Sequence, residues 1–157
     1  GSMASGGKIV AAQAELGRSL TELRAPMEFF VAMYYNAGYP LEGFEGWTEA
    51  SRPITREARR AFAHRANQLG GTTYPAYAFR MIFALRPLPD AIFFMTDGDF
   101  SDQDVSTEAI LSLNRPHEIP IHCLTLVDRS AEDRMRRIAN ASGGTYTHID
   151  GVQRRRR

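Results

Sequence analysis

Residues 91–102 have the sequence AIFFMTDGDFSD, an apolar run that leads directly into an acidic turn containing a glycine. An apolar run of this length, preceded by Pro89, predicts a strand that is buried on both faces of a parallel sheet. In such sheets ligands bind outside the carboxyl ends of the strands. Asp97, the first carboxylate after this strand, is therefore expected at the edge of the sheet where proteins of this class bind their ligands.

The rest of the chain alternates helices with strands. Amphipathic spacing predicts helices over 8–23, 54–69, 72–85, 105–113 and 130–142, with Thr55 and Ser130 as N-caps. Further strands are expected at 27–35, 119–127 and 145–149, and a loop with a short edge strand at 39–52. This alternation predicts an α/β fold with a doubly wound, mostly parallel sheet and helices on both faces. Such a domain normally begins with a strand, whereas this chain begins with a glycine-rich turn and a helix, so the first strand is expected to be missing.

Length and charge limit the organisation and the partners. The 157 residues suit one domain over 1–150, followed by a disordered, arginine-rich tail over 151–157. Four of the 19 basic residues lie in that tail, which leaves 15 basic against 18 acidic residues elsewhere and argues against a nucleic-acid binder. No apolar run is long enough to span a membrane, and the compartment stays open. Lys8 is the only lysine, and we attribute the high arginine content to genome composition.

Several short motifs occur in an informative order. They are GSM at 1–3, GKI at 7–9, GGT at 70–72, TDG at 96–98 and the segment 136–146, which ends in GGTY. Together they resemble the von Willebrand factor A family, most closely its bacterial type, over nearly the whole chain. The resemblance implies a Rossmann-like sheet and a non-enzymatic, protein-binding role.

The same resemblance implies a metal-ion-dependent adhesion site (MIDAS). In it Ser2, Thr72 and Asp97 correspond to the second serine, the threonine and the last aspartate of the family's motifs. Hydroxyl and carboxylate oxygens are hard ligands suited to Mg²⁺ or Mn²⁺. An acidic side chain of a partner protein would then occupy the open coordination position. The motif's leading aspartate would precede Gly1, so we expect weak metal binding.

Two alternatives to this site stay open. Residues 1–3 also match a cloning remnant followed by a start methionine, in which case Ser2 is not a ligand. The domain would then be a metal-free scaffold that assembles larger complexes. A phosphoryl-transfer enzyme is the other alternative, because a strand-end aspartate can act as a nucleophile. That chemistry needs a lysine near the phosphate, and only Lys8 is available.

A calcium loop and a catalytic cysteine–histidine pair have less support in the sequence. A calcium loop formed by Asp97, Asp99, Asp102 and Asp104 has its glycine in the wrong place for an EF-hand and no closing glutamate. Cys123 is expected in the core of its strand, with His122 on the opposite face of the sheet, so the two do not form a catalytic pair.

Overall fold

The computed structural model describes residues 7–66 and 72–151, and these contain five helices and seven strands. The helices are α1 (Lys8–Glu22), α2 (Arg52–Ala66), α3 (Ala76–Ala84), α4 (Asp104–Asn114) and α5 (Glu132–Ser142). The strands are β1 (Glu28–Phe29), β2 (Ala32–Tyr34), β3 (Gly38–Pro40), β4 (Thr48–Glu49), β5 (Ile92–Thr96), β6 (Ile121–Leu126) and β7 (Tyr146–Ile149). Predicted features at 1–6, 67–71 and 152–157 lie outside the described residues, so the predicted tail stays a prediction.

The centre of the molecule is a parallel sheet in the order β5–β6–β7. Ile92 pairs with Ile121 at the start of β5, and Thr96 pairs with Thr125 at its end. The predicted α/β fold with a parallel sheet is confirmed. Helix α1 is the first element of the described part of the chain, so no strand precedes it there.

Helices cover the sheet on both faces. Side chains of α3, α4 and α5 pack on the first face, where Phe79, Ile110 and Ile138 meet alternate residues of β5 and β6. On the second face Ala11 and Ala12 of α1 pack against Leu126, with Met95 at the margin of the same cluster. The apolar residues therefore lie where the 3.6-residue and two-residue periods place them.

The prediction that β5 is buried on both faces is wrong at one position. The Phe93 side chain is 62% exposed, whereas Phe94 next to it is buried. On the second face α1 packs near Leu126 and Met95, toward the carboxyl end of the strands. Phe93 lies toward the other end, where its ring contacts His122 with a centroid distance of 5.1 Å.

The predicted strand at 27–35 is divided into β1 and β2. Strand β1 pairs with β4 and β2 pairs with β3, both antiparallel. The segment that supplies both partners is itself interrupted by a turn in which Leu41 bridges to Phe44, so one continuous ladder cannot form. This turn packs with α1 and α2 in a second apolar cluster that includes Leu20 and Ala58.

Both predicted N-caps are wrong. Thr55 lies inside α2, where its hydroxyl donates to the Ser51 carbonyl oxygen at 3.0 Å, and it is the Ser51 Oγ that accepts from the Ile54 N–H. Thr55 thus bonds back to the preceding turn, as hydroxyl residues do inside helices. The Ser130 N–H donates to Asp128 Oδ1 at 2.7 Å, and α5 begins after Ala131 without a side-chain cap.

Candidate functional site at the carboxyl edge of the sheet

Asp97 follows directly after β5, and the residue is only 6% exposed. The chain turns here because Thr96 Oγ1 donates to the Gly98 carbonyl oxygen at 2.8 Å. The last strand residue is thereby tied to the turn that follows it. Asp97 thus lies at the carboxyl end of the parallel strand, as predicted.

The loop containing Thr72 is joined to the loop that follows Asp97. The Thr73 N–H donates to Ser101 Oγ at 2.7 Å, and the Ser101 N–H donates to the Thr73 carbonyl oxygen at 2.9 Å. Two reciprocal hydrogen bonds hold the two segments side by side although they are far apart in sequence. Thr72 is exposed next to this junction. Ser2, the third predicted ligand, lies outside the described residues.

Lys8 contributes a positive charge to the same edge. Its Nζ donates to the Asp97 carbonyl oxygen at 2.8 Å and lies 3.4 Å from Asp128 Oδ2. The Lys8 side chain is only 14% exposed. Since Lys8 begins α1, its charge adds to the positive end of the helix dipole, and the carbonyl and the carboxylate balance it. The sequence contained one signal for this contact, namely that Lys8 is the only lysine.

Asp128 is an acidic residue that the sequence analysis did not select. The Ser130 backbone N–H lowers the pKa of its carboxyl group most, and Lys8 lowers it further. Asp128 lies two residues after the end of β6, at the same edge of the sheet as Asp97. The edge therefore has one buried and one half-exposed carboxylate, and the Lys8 ammonium bonds to the backbone carbonyl of the first residue and to the carboxylate of the second.

The edge of β5 that faces away from β6 is bonded by side chains. The Ile92 N–H donates to Pro120 O on the β6 side, and alternate residues of a strand point their backbone groups to opposite edges. Met95 and Asp97 therefore direct their carbonyl oxygens away from β6. Tyr34 OH donates to Met95 O at 2.7 Å, and burial raises the pKa of this phenol. Tyr34 and Lys8 thus bond two carbonyl groups that a neighbouring strand would otherwise occupy.

The acidic side chains of the turn after β5 form hydrogen bonds with other side chains, which disfavours a calcium loop. Arg134 donates to Asp99 Oδ1 at 2.5 Å and to Asp104 Oδ1 at 3.0 Å. Asp102 Oδ2 accepts from Ser106 Oγ at 2.7 Å, which fixes the turn to the first helical residues of α4. Three of the four aspartates of the proposed loop therefore have protein partners in place of a shared ion.

Thr72 and Asp97 fit a hard divalent cation by donor type and by the joining of their loops. Within residues 7–66 and 72–151, no three His, Cys, Asp or Glu side chains gather as a metal cluster. A MIDAS also uses the hydroxyl oxygens of serine and threonine, which are not among those four residue types. Cys123 is buried on the first face of the sheet, and burial raises the pKa of its thiol to about 12, which suits a core residue.

Neither a protein-family model nor a curated protein sequence matches the chain. Several solved structures, however, are similar to it in fold. Von Willebrand factor type A from Catenulispora acidiphila superposes with a TM-score of 0.75 at 18% identity, over 90% of this chain and 34% of that one. Proximal thread matrix protein 1 from the mussel byssus, with a zinc-occupied MIDAS motif, superposes with a TM-score of 0.69 at 14% identity, over 91% of this chain and 37% of that one. BatB, a conserved hypothetical protein from Bacteroides thetaiotaomicron, gives 0.67 at 15% identity, over 92% and 81% of the two chains.

The chain has the fold of von Willebrand factor A domains, as the resemblance implied. It spans about a third of the length of the first two structures. Within the described residues, none of the helices has the length and apolar character required to cross a bilayer.

Proposed function

We propose that this chain is a protein-binding module in which a divalent cation at the carboxyl edge of the sheet links it to an acidic side chain of a partner. Thr72 and Asp97, together with Ser2, would hold Mg²⁺ or Mn²⁺. The bound cation would supply an electrophilic position for a carboxylate from outside the chain. The observation that carries the proposal is the pair of hydrogen bonds between Thr73 and Ser101, which joins the loops of two proposed ligands.

The environment of Asp97 supports a ligand role. The residue is almost fully buried at a strand end, and a carboxylate in such a place stabilises the domain only if its charge is balanced. A cation bound by Asp97 would add to the balance that Lys8 provides through its hydrogen bond to the backbone carbonyl of Asp97. The zinc-occupied motif of proximal thread matrix protein 1 supports a divalent cation on this fold, while the choice of Mg²⁺ or Mn²⁺ rests on the oxygen donors.

Mn²⁺ binding followed by electron paramagnetic resonance tests the metal directly, because free and bound ions give different signals. Asp97→Asn and Thr72→Ala should each weaken Mn²⁺ binding by about tenfold or more. Asp90→Asn is the matched control, since Asp90 is an exposed aspartate before the amino end of the same strand. If the wild-type chain binds no Mn²⁺, or if Asp90→Asn weakens binding as much as Asp97→Asn, the metal proposal is wrong.

The position of Lys8 favours a second candidate, a scaffold that assembles a complex without metal. An ammonium group bonded to the Asp97 carbonyl oxygen repels a cation nearby and already stabilises this edge. In this case the melting temperature would not respond to Mg²⁺ or to a chelator. Lys8→Met separates the two candidates: it should strengthen Mn²⁺ binding if a metal site exists, and should leave Mn²⁺ unbound if none exists.

The proposal is of a binding module and not of an enzyme. The enzymatic alternative has one feature in its favour, which is that the only lysine does lie beside Asp97. Incubation with acetyl phosphate and Mg²⁺ tests it, because a phosphoaspartate adds the mass of one phosphoryl group. A modification that is lost in Asp97→Asn would establish phosphoryl transfer and would displace the binding proposal.

A further inference from the structure

A pocket of about 230 Å³ lies between the carboxyl end of α1 and the amino end of α2, away from the edge described above. We call it the arginine pocket, and its lining consists of Thr21, Arg24, Arg52, Thr55, Arg56 and Arg59. Helix α1 has 15 residues, and at about 1.5 Å per residue it separates this pocket from Lys8 by roughly 20 Å. The arginine pocket is thus a separate region of the surface.

The charges in the arginine pocket have no counter-charge within its lining. Among the residues that the structure describes, no acidic residue lines it. Five other arginines of the described chain form ion pairs with carboxylates, namely Arg18, Arg129, Arg134, Arg136 and Arg137. None of the ion pairs within residues 7–66 and 72–151 includes an arginine of the pocket. Gathering like charges without a counter-charge costs free energy, which a bound anion would recover.

Helix α2 adds to this imbalance. Its first turn contains no acidic residue and begins with Arg52, although acidic side chains are the ones that the positive end of a helix dipole favours. The Leu23 carbonyl oxygen at the end of α1 offsets the charge of Arg24 only in part, by accepting a hydrogen bond from its guanidinium group at 2.8 Å. The amino end of α2 and the guanidinium groups of its arginines thus both add positive charge to the arginine pocket.

A glycine in α1 makes room for one of the guanidinium groups. Gly17 lies in the helix interior, where glycine is less favourable than alanine. A Cβ atom at this position would lie 2.8 Å from Arg59 Nε and 3.2 Å from Nη2. Arg59 can therefore lie flat against the backbone of α1, with its remaining N–H groups available to the pocket.

The donors of the pocket are all guanidinium groups. Thr21 Oγ1 donates to Gly17 O at 2.6 Å and Thr55 Oγ1 donates to Ser51 O at 3.0 Å, so both hydroxyl protons are used within helices. A carboxylate has one charge and two oxygens, and a single guanidinium fork pairs with it fully. Several forks around one small cavity suit an anion with more charge and more oxygens.

We propose that the arginine pocket binds a phosphate monoester dianion, with Arg52, Arg56 and Arg59 as its principal donors. The phosphoryl group could belong to a small molecule or to a phosphorylated side chain of a protein. The chemistry of recognition is the same in both cases.

Calorimetric titration with phenyl phosphate at constant ionic strength tests the proposal. We expect saturable binding that becomes about tenfold weaker, or weaker still, in the double variant Arg56→Gln/Arg59→Gln. Arg60→Gln is the matched control, because Arg60 is exposed on the same helix and does not line the pocket. The proposal is overturned if phenyl phosphate does not saturate the protein, if acetate binds equally well, or if Arg60→Gln loses as much affinity as the double variant.

Two further measurements separate recognition from structural effects. Gly17→Ala should displace the flexible Arg59 side chain, leave the melting temperature unchanged or higher, and weaken phenyl phosphate binding. Unchanged binding in Gly17→Ala would contradict the role of Arg59. Asp97→Asn should bind phenyl phosphate like the wild type, so failure of the metal proposal and failure of this one are distinguishable.

A phosphoserine peptide and its unphosphorylated form identify the source of the phosphoryl group. If the phosphopeptide binds much more tightly than phenyl phosphate, the ligand is a phosphorylated protein. If it binds no better, the ligand is a small phosphate ester. In either case the unphosphorylated peptide should not bind, and equal binding of both peptides would contradict the proposal.

Discussion

Strand β5 is bonded by a neighbouring strand along one edge and by two side chains along the other. On the β6 side the register is continuous from Ile92 to Thr96. On the opposite side Tyr34 and Lys8 each supply a single donor to a single carbonyl oxygen. A backbone ladder is cooperative and depends little on residue identity, whereas each side-chain bond depends on one functional group. We therefore expect substitutions at the side-chain edge to have small effects on stability and disruption of the backbone ladder of the sheet to have a large one.

Displacing β6, the strand that forms the ladder with β5, should have the largest effect. Gly144 lies against β6 on the side that faces β7, and a Cβ atom there would be 2.0 Å from the Ile121 carbonyl oxygen. Because the obstacle is backbone within the sheet, Gly144→Ala should lower the free energy of unfolding by about 3 kcal/mol or prevent folding. Urea denaturation measures this, with Gly46→Ala as the control because nothing lies within 4 Å of a Cβ there. Equal stabilities of the two variants would show that the sheet tolerates displacement of β6.

Removal of the Tyr34 hydroxyl should have a smaller effect. Tyr34→Phe leaves the Met95 carbonyl oxygen without its donor, and such a loss costs about 1 kcal/mol, or more if water cannot replace the donor. Tyr77→Phe, an exposed tyrosine on α3, is the control and should be neutral. Thermal or urea denaturation compares them. If Tyr34→Phe unfolds with the same free energy as the wild type, the Met95 carbonyl oxygen does not need the Tyr34 donor.

Lys8→Met should cost less than 1 kcal/mol. The variant loses the bonds to Asp97 O and Asp128, but it also removes a positive charge from the positive end of α1, and the second change offsets the first. Urea denaturation measures the difference, with Lys8→Arg as the conservative variant. A loss as large as that of Gly144→Ala would contradict the distinction between the two edges.

Asp128 gives this edge a pH dependence. Its pKa is lowered in the folded state, so its contribution to stability is complete above the ordinary value of 3.8 and is lost as the pH falls through the folded value. Since the Ser130 N–H is the largest cause, Lys8→Met should raise the Asp128 pKa only part of the way to its ordinary value. NMR titration of the carboxyl carbon measures it, and full reversion would make Lys8 the principal partner.

The smallest expected effect concerns the thiol of Cys123, which reports opening of the sheet. Burial raises its pKa to about 12, so alkylation at pH 8 requires the sheet to open. Tyr34→Phe should accelerate alkylation about fivefold, as a loss of 1 kcal/mol implies. An unchanged rate in Tyr34→Phe would show that the side-chain edge does not control opening.

The sequence predicted those elements whose signals are local. The strand within 91–102, the helices over the described residues and the end of α5 at Gly143 follow from periodicity and from glycine at a helix end, and the structure confirms them. Both predicted caps were wrong because the helices begin at other residues: Ser51 accepts from the Ile54 N–H at the start of α2, and Asp128 accepts from the Ser130 N–H in the turn before α5. The residue at which a helix begins is predicted poorly from pattern.

The contacts that the sequence did not predict join distant segments. Lys8 and Asp97 lie 89 positions apart, and Tyr34 and Met95 lie 61 apart, so no periodicity relates them. The arginine pocket is a similar case. The high arginine content of the sequence indicates genome composition and does not show which arginines meet in the fold. Only the packing of α1 on α2 brings Arg24 together with the arginines of the second helix. The proposed metal ligands Ser2, Thr72 and Asp97 rest on the resemblance and remain a proposal.

The single lysine has a practical consequence. Lys8 is the only lysine of the 157-residue sequence, and its Nζ is bonded at the edge where the proposed ligands lie. Protein prepared with nitrogen-15 lysine would therefore give one side-chain ammonium resonance, free of overlap, whose shift and exchange rate report the occupancy of that edge. We expect a cation, a phosphoryl group or a partner carboxylate bound at that edge to change this one signal, so Lys8 serves as a spectroscopic probe of the proposed site without any substitution.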